Sequence, residues 1–404
     1  MIAAVDVTYD VPEGEVLHAG RRPPGAVANR FDSVAIWSES TGVPTTNPDQ
    51  VPLWIMHGSG GQNSTAARQF IATVSGSLAY KEFTTFRYRT SAGLYGTQHV
   101  TNIRPQDLWG AYPSNPTGKR ESHHLGFFGL EHDPLRVHLI TERLYDALIQ
   151  WAFENVPNCD WSRMCATGGS MGGWGCMTYA MRRAQYFAAV MADRPRWRCN
   201  GTPGKIAVTH FIDGTTAFSF AAAPMLSEQD GGYSVAVHKD LIAFVSNPAN
   251  KVPFIGWCCG RQDGFANFEE QCDAVDALRA AGRPFAFVWN NGTHSAGAII
   301  DQITDSYTYA SFKIGRGMPL FTEHSRDKDP RDAINALVGG INEGLKFKPP
   351  VETATTWSCE VTSILGACSV KVKPYGSSVF KADVAAKTVN ITGANVWQTV
   401  TFTI

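Results

Sequence analysis

The chain turns sharply from an apolar run into a helix-forming run at Gly168-Gly169-Ser170-Met171-Gly172, a match to G-x-S-x-G. Small residues at Gly168 and Gly172 would let strand and helix approach closely around the turn. A serine at its tip is then held in a strained backbone with its hydroxyl exposed. Flanking residues supply the context that five loosely specified positions lack. Leu144, Leu148, Trp151, Ala152 and Val156 recur at helical spacing over 142–156, and Pro157-Asn158 end that run. Arg163 to Thr167 then reads as a short buried strand, Trp174 to Arg183 as a helix, and Phe187 to Met191 as the next strand.

A nucleophilic serine needs a base, an acid that orients it, and donors for the developing oxyanion. Lys251 to Cys259 predicts a strand, with Gly260-Arg-Gln-Asp263-Gly264 as the loop at its end. Arg283 to Trp289 predicts the following strand, which runs into Asn290-Asn-Gly-Thr-His294. Asp263 and His294 therefore sit just past two successive strand ends, where ligands bind in parallel sheets. Asp193 competes for the acid role, but Arg194-Pro195-Arg196 beside it suggests a salt-bridged loop residue. His324 lies in a charged stretch and reads as solvated, and His210 as a lid or core residue. Asp263 and His294 are the preferred pair.

Val51-Pro-Leu-Trp-Ile-Met56 predicts a strand that ends in His57-Gly-Ser-Gly-Gly61. Glycines there let backbone N–H groups converge where negative charge develops. The expected donors are the N–H of Met171 and one from the Ser59 region, with Gly58 and Gly60 as alternatives. His57 reads as a structural hydrogen-bonding residue. A phosphate loop of the G-x-x-x-x-G-K-[ST] type is absent.

With these motifs in place the chain resembles the α/β-hydrolase superfamily, in its secreted esterase and polyester-depolymerase-like branches. The resemblance rests on His57 to Gly61, Gly168 to Gly173, Asp263 and His294, and covers roughly residues 30 to 345. It implies a mostly parallel, eight-stranded α/β sheet flanked by helices, with the triad order serine, acid, histidine. The implied activity is that of a serine ester hydrolase whose mechanism requires no cofactor and no metal. An aromatic-rich insertion and β-rich tail would suit a carbohydrate ester, a feruloyl-type aromatic ester or a polyester, and a small-molecule ester would serve equally well. The alternatives are a serine peptidase of prolyl-oligopeptidase type and a binding module with a relic triad. Only about 50 residues precede the strand leading to His57, too few for the β-propeller that such peptidases carry.

Length and composition shape the remaining expectations. A chain of 404 residues holds one large catalytic domain (1–348) and a small all-β accessory domain (349–404), divided at Lys348-Pro349-Pro350. Asp332 to Gly344 reads as the last catalytic helix. The tail shows period-two alternation suited to an immunoglobulin- or fibronectin-III-like sandwich packed against the catalytic domain. Formal net charge is −1 and charged residues make up 18%, which argues against nucleic-acid binding. No run of about 18 apolar residues suggests a membrane span. The first residues show no signal peptide, which suits either an intracellular protein or one whose signal has been removed, and a Trp- and Gly-rich, lysine-poor composition leans toward the secreted or periplasmic alternative.

Residues 1–50 carry extended segments suited to antiparallel edge strands. The stretch 90–134 is long and irregular and is expected to wall the substrate cleft, with Tyr95 and Trp109 as contacts. The stretch 197–250 suits a lid, its apolar underside made by Phe218, Phe220, Met225 and Tyr233. Trp174 and Trp257 are further candidate substrate contacts. His123, His124, His132 and Asp133 match no metal-ligand pattern and read as ordinary loop residues. Of nine cysteines, Cys359 and Cys368 flank a turn and are expected to pair, while Cys165 and Cys176 are expected in the core.

Overall fold

The structure is a computed structural model. It describes residues 161–198, 235–294, 311–332, 337–377, 379–380 and 384–403, with Glu142, Asp146, Ile149 and the backbone of separate strands elsewhere. The first strands along the chain are β1 (Ile2–Val5), β2 (Val34–Ser38), β3 (Val51–Met56), β4 (Thr84–Arg89) and β5 (Val100–Pro105). A hairpin follows, β6 (Phe127–Leu130) with β7 (Asp133–His138). Next come β8 (Cys165–Gly169), helix α1 (Met171–Arg182) and β9 (Ala189–Asp193). A small ladder, β10 (Thr209–Phe211) with β11 (Ala217–Ser219), precedes helices α2 (Val235–Lys239) and α3 (Leu241–Ser246). Then follow β12 (Phe254–Gly260), α4 (Phe268–Ala280) and β13 (Phe285–Asn290).

These strands assemble into a ten-stranded sheet in the order β1-β2-β5-β4-β3-β8-β9-β12-β13-β15, where β15 is Gly339–Ile341. The expected mostly parallel, eight-stranded sheet needs correcting. Pairing is parallel from β3 through β8, β9 and β12 to β13, and antiparallel everywhere else. The N-terminal strands β1 and β2 pair antiparallel at one edge, as their extended sequences suggest. The parallel block is built from continuous apolar runs, because strands covered on both faces have no wet side to alternate toward. Every residue of β12 is buried.

The expected helix over 332–344 is also corrected. Gly339 and Gly340 are poor helix formers, and they pair with Trp289 and Val288 as an antiparallel edge strand. A Cβ at Gly339 would come within 2.6 Å of the Trp289 ring, so only glycine lets this strand lie against it.

The remaining strands are β14 (Met318–Thr322), β16 (Leu345–Phe347), β17 (Val351–Glu352), β18 (Thr356–Ser363), β19 (Cys368–Tyr375), β20 (Lys387–Ile391) and β21 (Gln398–Thr403). They form a sheet β14-β19-β20 and a second sheet in which β18 pairs with β16, β17 and β21. Strands from before residue 349 thus pair with tail strands on both sheets. One apolar cluster runs from Cys165, Phe254 and Val288 through Phe312 and Phe347 to Trp357, Val372 and Phe402. Cys359 and Cys368 are free thiols, contrary to the expected staple. Their strands lie in different sheets, with Cys359 opposite Val400 and Cys368 opposite Ile391.

A buried ionic cluster fastens α1 to its neighbours. The helical residues Glu142 and Asp146 receive the Arg183 guanidinium at 2.8 Å and 2.5 Å, and Glu142 also meets His238 Nε2 at 2.9 Å. Tyr179 Oη donates to Asp146 at 2.9 Å. Burial opposes the Glu142 charge, but the His238 ring and the Arg183 guanidinium outweigh it and hold the carboxyl well below its ordinary 4.5. Burial pushes His238 below its ordinary 6.5. In both cases the unfolded chain binds the proton more readily, so stability is lost as pH falls: below 6.5 through His238 and below 4.5 through Glu142. Thermal unfolding from about pH 7 to about pH 4 should show a falling Tm. Glu142→Gln should lower Tm by an amount worth about 3 kcal/mol at neutral pH and flatten the acid side.

Candidate active site

Ser170 occupies the turn between β8 and α1 with φ 56° and ψ −121°, a left-handed backbone that serine seldom adopts. Such a conformation costs about 1–3 kcal/mol and persists only where the surroundings enforce it. Here they do. The Ser170 N–H donates to the Asp193 carbonyl at 2.8 Å, and its own carbonyl accepts from the Trp174 N–H at 3.0 Å to start the helix. A Cβ on Gly173 would lie 2.8 Å from the Asp193 carbonyl oxygen and 3.2 Å from that of Gly168. The close approach of helix to sheet therefore depends on Gly173, a position the five-residue motif does not include.

β8, β9, β12 and β13 run parallel side by side, so their carboxyl ends share one edge of the sheet. Ser170 follows β8, Asp263 lies in the loop after β12, and His294 lies in the loop after β13. The structure brings all three together. Ser170 Oγ is 2.6 Å from His294 Nε2, and His294 Nδ1 is 2.7 Å from Asp263 Oδ2. An ionised carboxylate only accepts, so Nδ1 carries the ring proton and Nε2 offers its lone pair to the serine hydroxyl. The other Asp263 oxygen, Oδ1, accepts from the Phe265 and Ala266 N–H groups at 2.8 Å each. The Asp263 side chain is fully buried, while that of His294 stays 23% exposed. A buried carboxylate thus backs a partly exposed ring.

The loop carrying His294 lies directly on the loop carrying Asp263. Arg261 N–H donates to Asn290 O at 2.8 Å, and Gln262 N–H to Gly292 O at 2.9 Å. A Cβ at Gly260 would overlap the Gly292 carbonyl, backbone against backbone. Gly260→Ala should therefore lift the histidine loop. The expected result is a fall of about 10²-fold in kcat, the cost of roughly 1 Å of misplacement, with about 1–3 kcal/mol of stability lost. Steady-state kinetics and thermal unfolding of that variant check both numbers.

Met171 opens α1, and the first N–H groups of a helix lack partners within it. Ser59, Tyr95 and Trp109 lie outside the described residues, as do His57, His123, His124, His132, Phe220, Met225 and Tyr233. Trp257 is corrected: it is fully buried in β12 and stacks on Phe287 at 4.7 Å. Trp174 is buried as well, with Lys239 Nζ 4.8 Å from its ring centroid. Neither lines a cleft, because a parallel strand covered on both faces and the inner side of α1 both turn their aromatics into the core. His324 is buried and hydrogen-bonded to Asp327 at 3.1 Å rather than solvated.

Asp193 forms the salt bridge its neighbours suggested, with both oxygens on Arg194. Two nearby residues escaped sequence reasoning. Phe265 is 57% exposed with its ring 5.0 Å from that of His294, an aromatic at the edge of the site. Arg194 donates from Nη1 to the His294 carbonyl. Among the described residues no group of His, Cys, Asp or Glu is arranged to hold a metal ion, and no helix is long and apolar enough to cross a membrane.

No family model matches the chain, and no curated protein matches it. Among solved structures it is similar to a ferulic acid esterase, at 13% identity and TM-score 0.39 over 76% of this chain and 96% of that one. The Pyrococcus horikoshii acylaminoacyl peptidase matches at 10% identity and TM-score 0.39 over 73% and 38%. The Porphyromonas gingivalis dipeptidyl peptidase 4 matches at 18% identity and TM-score 0.29 over 39% and 20%. The chain therefore spans well under half the length of either peptidase.

Proposed function

We propose that this protein is a serine hydrolase of α/β-hydrolase type that cleaves carboxylic esters through an acyl-enzyme. The hydrogen-bonded chain Ser170–His294–Asp263 carries the reading. Ser170 Oγ attacks the acyl carbon while its proton passes to His294 Nε2. The tetrahedral intermediate collapses, the C–O bond to the leaving group breaks, and the alcohol departs with that proton. Water then attacks the acyl carbon, again giving its proton to Nε2, and the acid is released as the proton returns to Ser170. Asp263 holds the ring tautomer and stabilises the imidazolium that forms in each half-reaction. The Met171 N–H, at the positive end of α1, is assigned to the oxyanion, with a second donor from the loop that holds Ser59. No metal or cofactor enters this sequence of steps.

Ester is assigned over amide as the substrate class. Wild-type protein should hydrolyse p-nitrophenyl esters, surveyed from acetyl to decanoyl, with higher kcat/KM than aminoacyl p-nitroanilides. A higher kcat/KM on the anilides would reassign the protein to the peptidases. Turnover of neither would leave a binding module as the better description. Resistance of the substrate rate to chelators is expected, since every proton and charge in the scheme is handled by side chains and backbone N–H groups.

A further inference from the structure

We propose that Arg194 is a positioning residue that holds the main chain of His294 and so keeps the ring on Ser170; this rests on the serine-hydrolase reading above. Neighbouring residues at a strand end point to opposite faces of the sheet and do not ordinarily pair. Arg194 does so because its backbone turns into the left-handed region, at φ 51°. That turn is fastened by the Arg194 N–H, which donates to the Cys258 carbonyl on β12 at 2.7 Å. The side chain then folds back on its neighbour. Nε meets Asp193 Oδ1 at 3.0 Å and Nη2 meets Oδ2 at 2.5 Å, a two-pronged fork.

The fork fixes the guanidinium plane and leaves Nη1 aimed away from it. Nη1 donates to the carbonyl oxygen of His294, a residue a hundred positions later in the chain. Cys258 strengthens the base of the arrangement. Its thiol, kept protonated by burial and by Asp193 beside it, donates to Asp193 Oδ1 at 3.0 Å. Both side chains of the pair are largely buried, at 16% and 13% exposure. A hydrogen bond from a cation to a neutral carbonyl is strong and directional, and here its donor is immobilised.

The three supports of His294 act on different atoms. Asp263 sets the tautomer through Nδ1, and the contacts of Arg261 and Gln262 seat the loop before it. Arg194 alone among the described residues grips the carbonyl of the histidine itself. Asp193 also neutralises the guanidinium, so the grip adds no net charge beside a ring that must become cationic. The residue first considered as a competing acid thus serves the base from behind. The same serine N–H that enforces the Ser170 turn donates to the Asp193 carbonyl, which ties nucleophile and base to one strand end.

The test compares wild type with Arg194→Ala on p-nitrophenyl acetate, with and without guanidinium chloride at a concentration well below denaturing. The expected result is a kcat about 10- to 100-fold lower with KM within about twofold, partly restored by guanidinium but not by equal sodium chloride. A purely structural role would not produce that selective rescue. Should Arg194→Ala fail to fold, Arg194→Gln and Asp193→Asn replace it, since both keep a polar side chain in place, the second at unchanged volume, while breaking the fork. A folded variant with wild-type kcat overturns the proposal, as does a fall in kcat that guanidinium leaves unchanged. Absence of turnover and of fluorophosphonate labelling in the wild type would sink the serine reading, and this proposal with it; normal wild-type chemistry beside an unaffected variant sinks only the proposal.

Discussion

Replacing Ser170 with alanine is expected to lower ester hydrolysis by about five to six powers of ten while leaving the protein folded. The size follows from the geometry. In the proposed mechanism Ser170 Oγ is the atom that bonds to the substrate, and it sits 2.6 Å from His294 Nε2, the proposed base. No other hydroxyl among the described residues has that partner. What remains after its loss is the oxyanion environment and substrate binding, which act on attacking water with far less effect. Folding should survive because the strained turn is held by backbone bonds, from the Ser170 N–H to Asp193 and from Trp174 to the Ser170 carbonyl. Alanine preserves both. Far-UV circular dichroism and Tm close to wild type, together with the loss of turnover, are the expected pair of observations.

Asp263→Asn should cost about four powers of ten in kcat, by way of the ring tautomer. Two backbone N–H groups, from Phe265 and Ala266, point at Oδ1. An asparagine would place its carbonyl oxygen there and turn its NH2 toward His294 Nδ1. That nitrogen would have to accept, which moves the ring proton to Nε2 and aims it at Ser170. A histidine in this state cannot take the serine proton. Asp263→Ala should be less informative, since it removes the tautomer constraint and opens a buried space together. Steady-state kinetics of Asp263→Asn, with a structure showing an unchanged main chain, separates a tautomer effect from a misfolded loop.

Much of this site was legible in the sequence because its pieces are local. The strands before Ser170, Asp263 and His294 are short apolar runs that end in turn-forming residues, and such runs announce buried parallel strands. Their order along the chain then places three strand ends on one edge. What stayed hidden depends on tertiary contacts. Trp257 and Trp174 look like cleft aromatics until β12 and α1 are seen to be covered, and His324 looks solvated until it is seen buried and bonded to Asp327. Cys359 and Cys368 flank a turn, yet their strands part into different sheets, so spacing alone misled. The glycine pair at Gly339 broke a helical pattern for the sake of the Trp289 ring. Arg194 was the hardest to foresee. Its role requires a positive φ and a partner a hundred residues distant, and neither leaves a trace in residue type.

In the proposed mechanism everything depends on Ser170 being a nucleophile activated by His294. Covalent labelling by an alkyl fluorophosphonate, located by mass spectrometry of the peptides, tests it most directly. The expected result is one modified residue, Ser170, in the wild type, with labelling slowed by orders of magnitude in His294→Ala and absent in Ser170→Ala. Wild-type protein left unmodified, or modified at another residue with Ser170 intact, would contradict it.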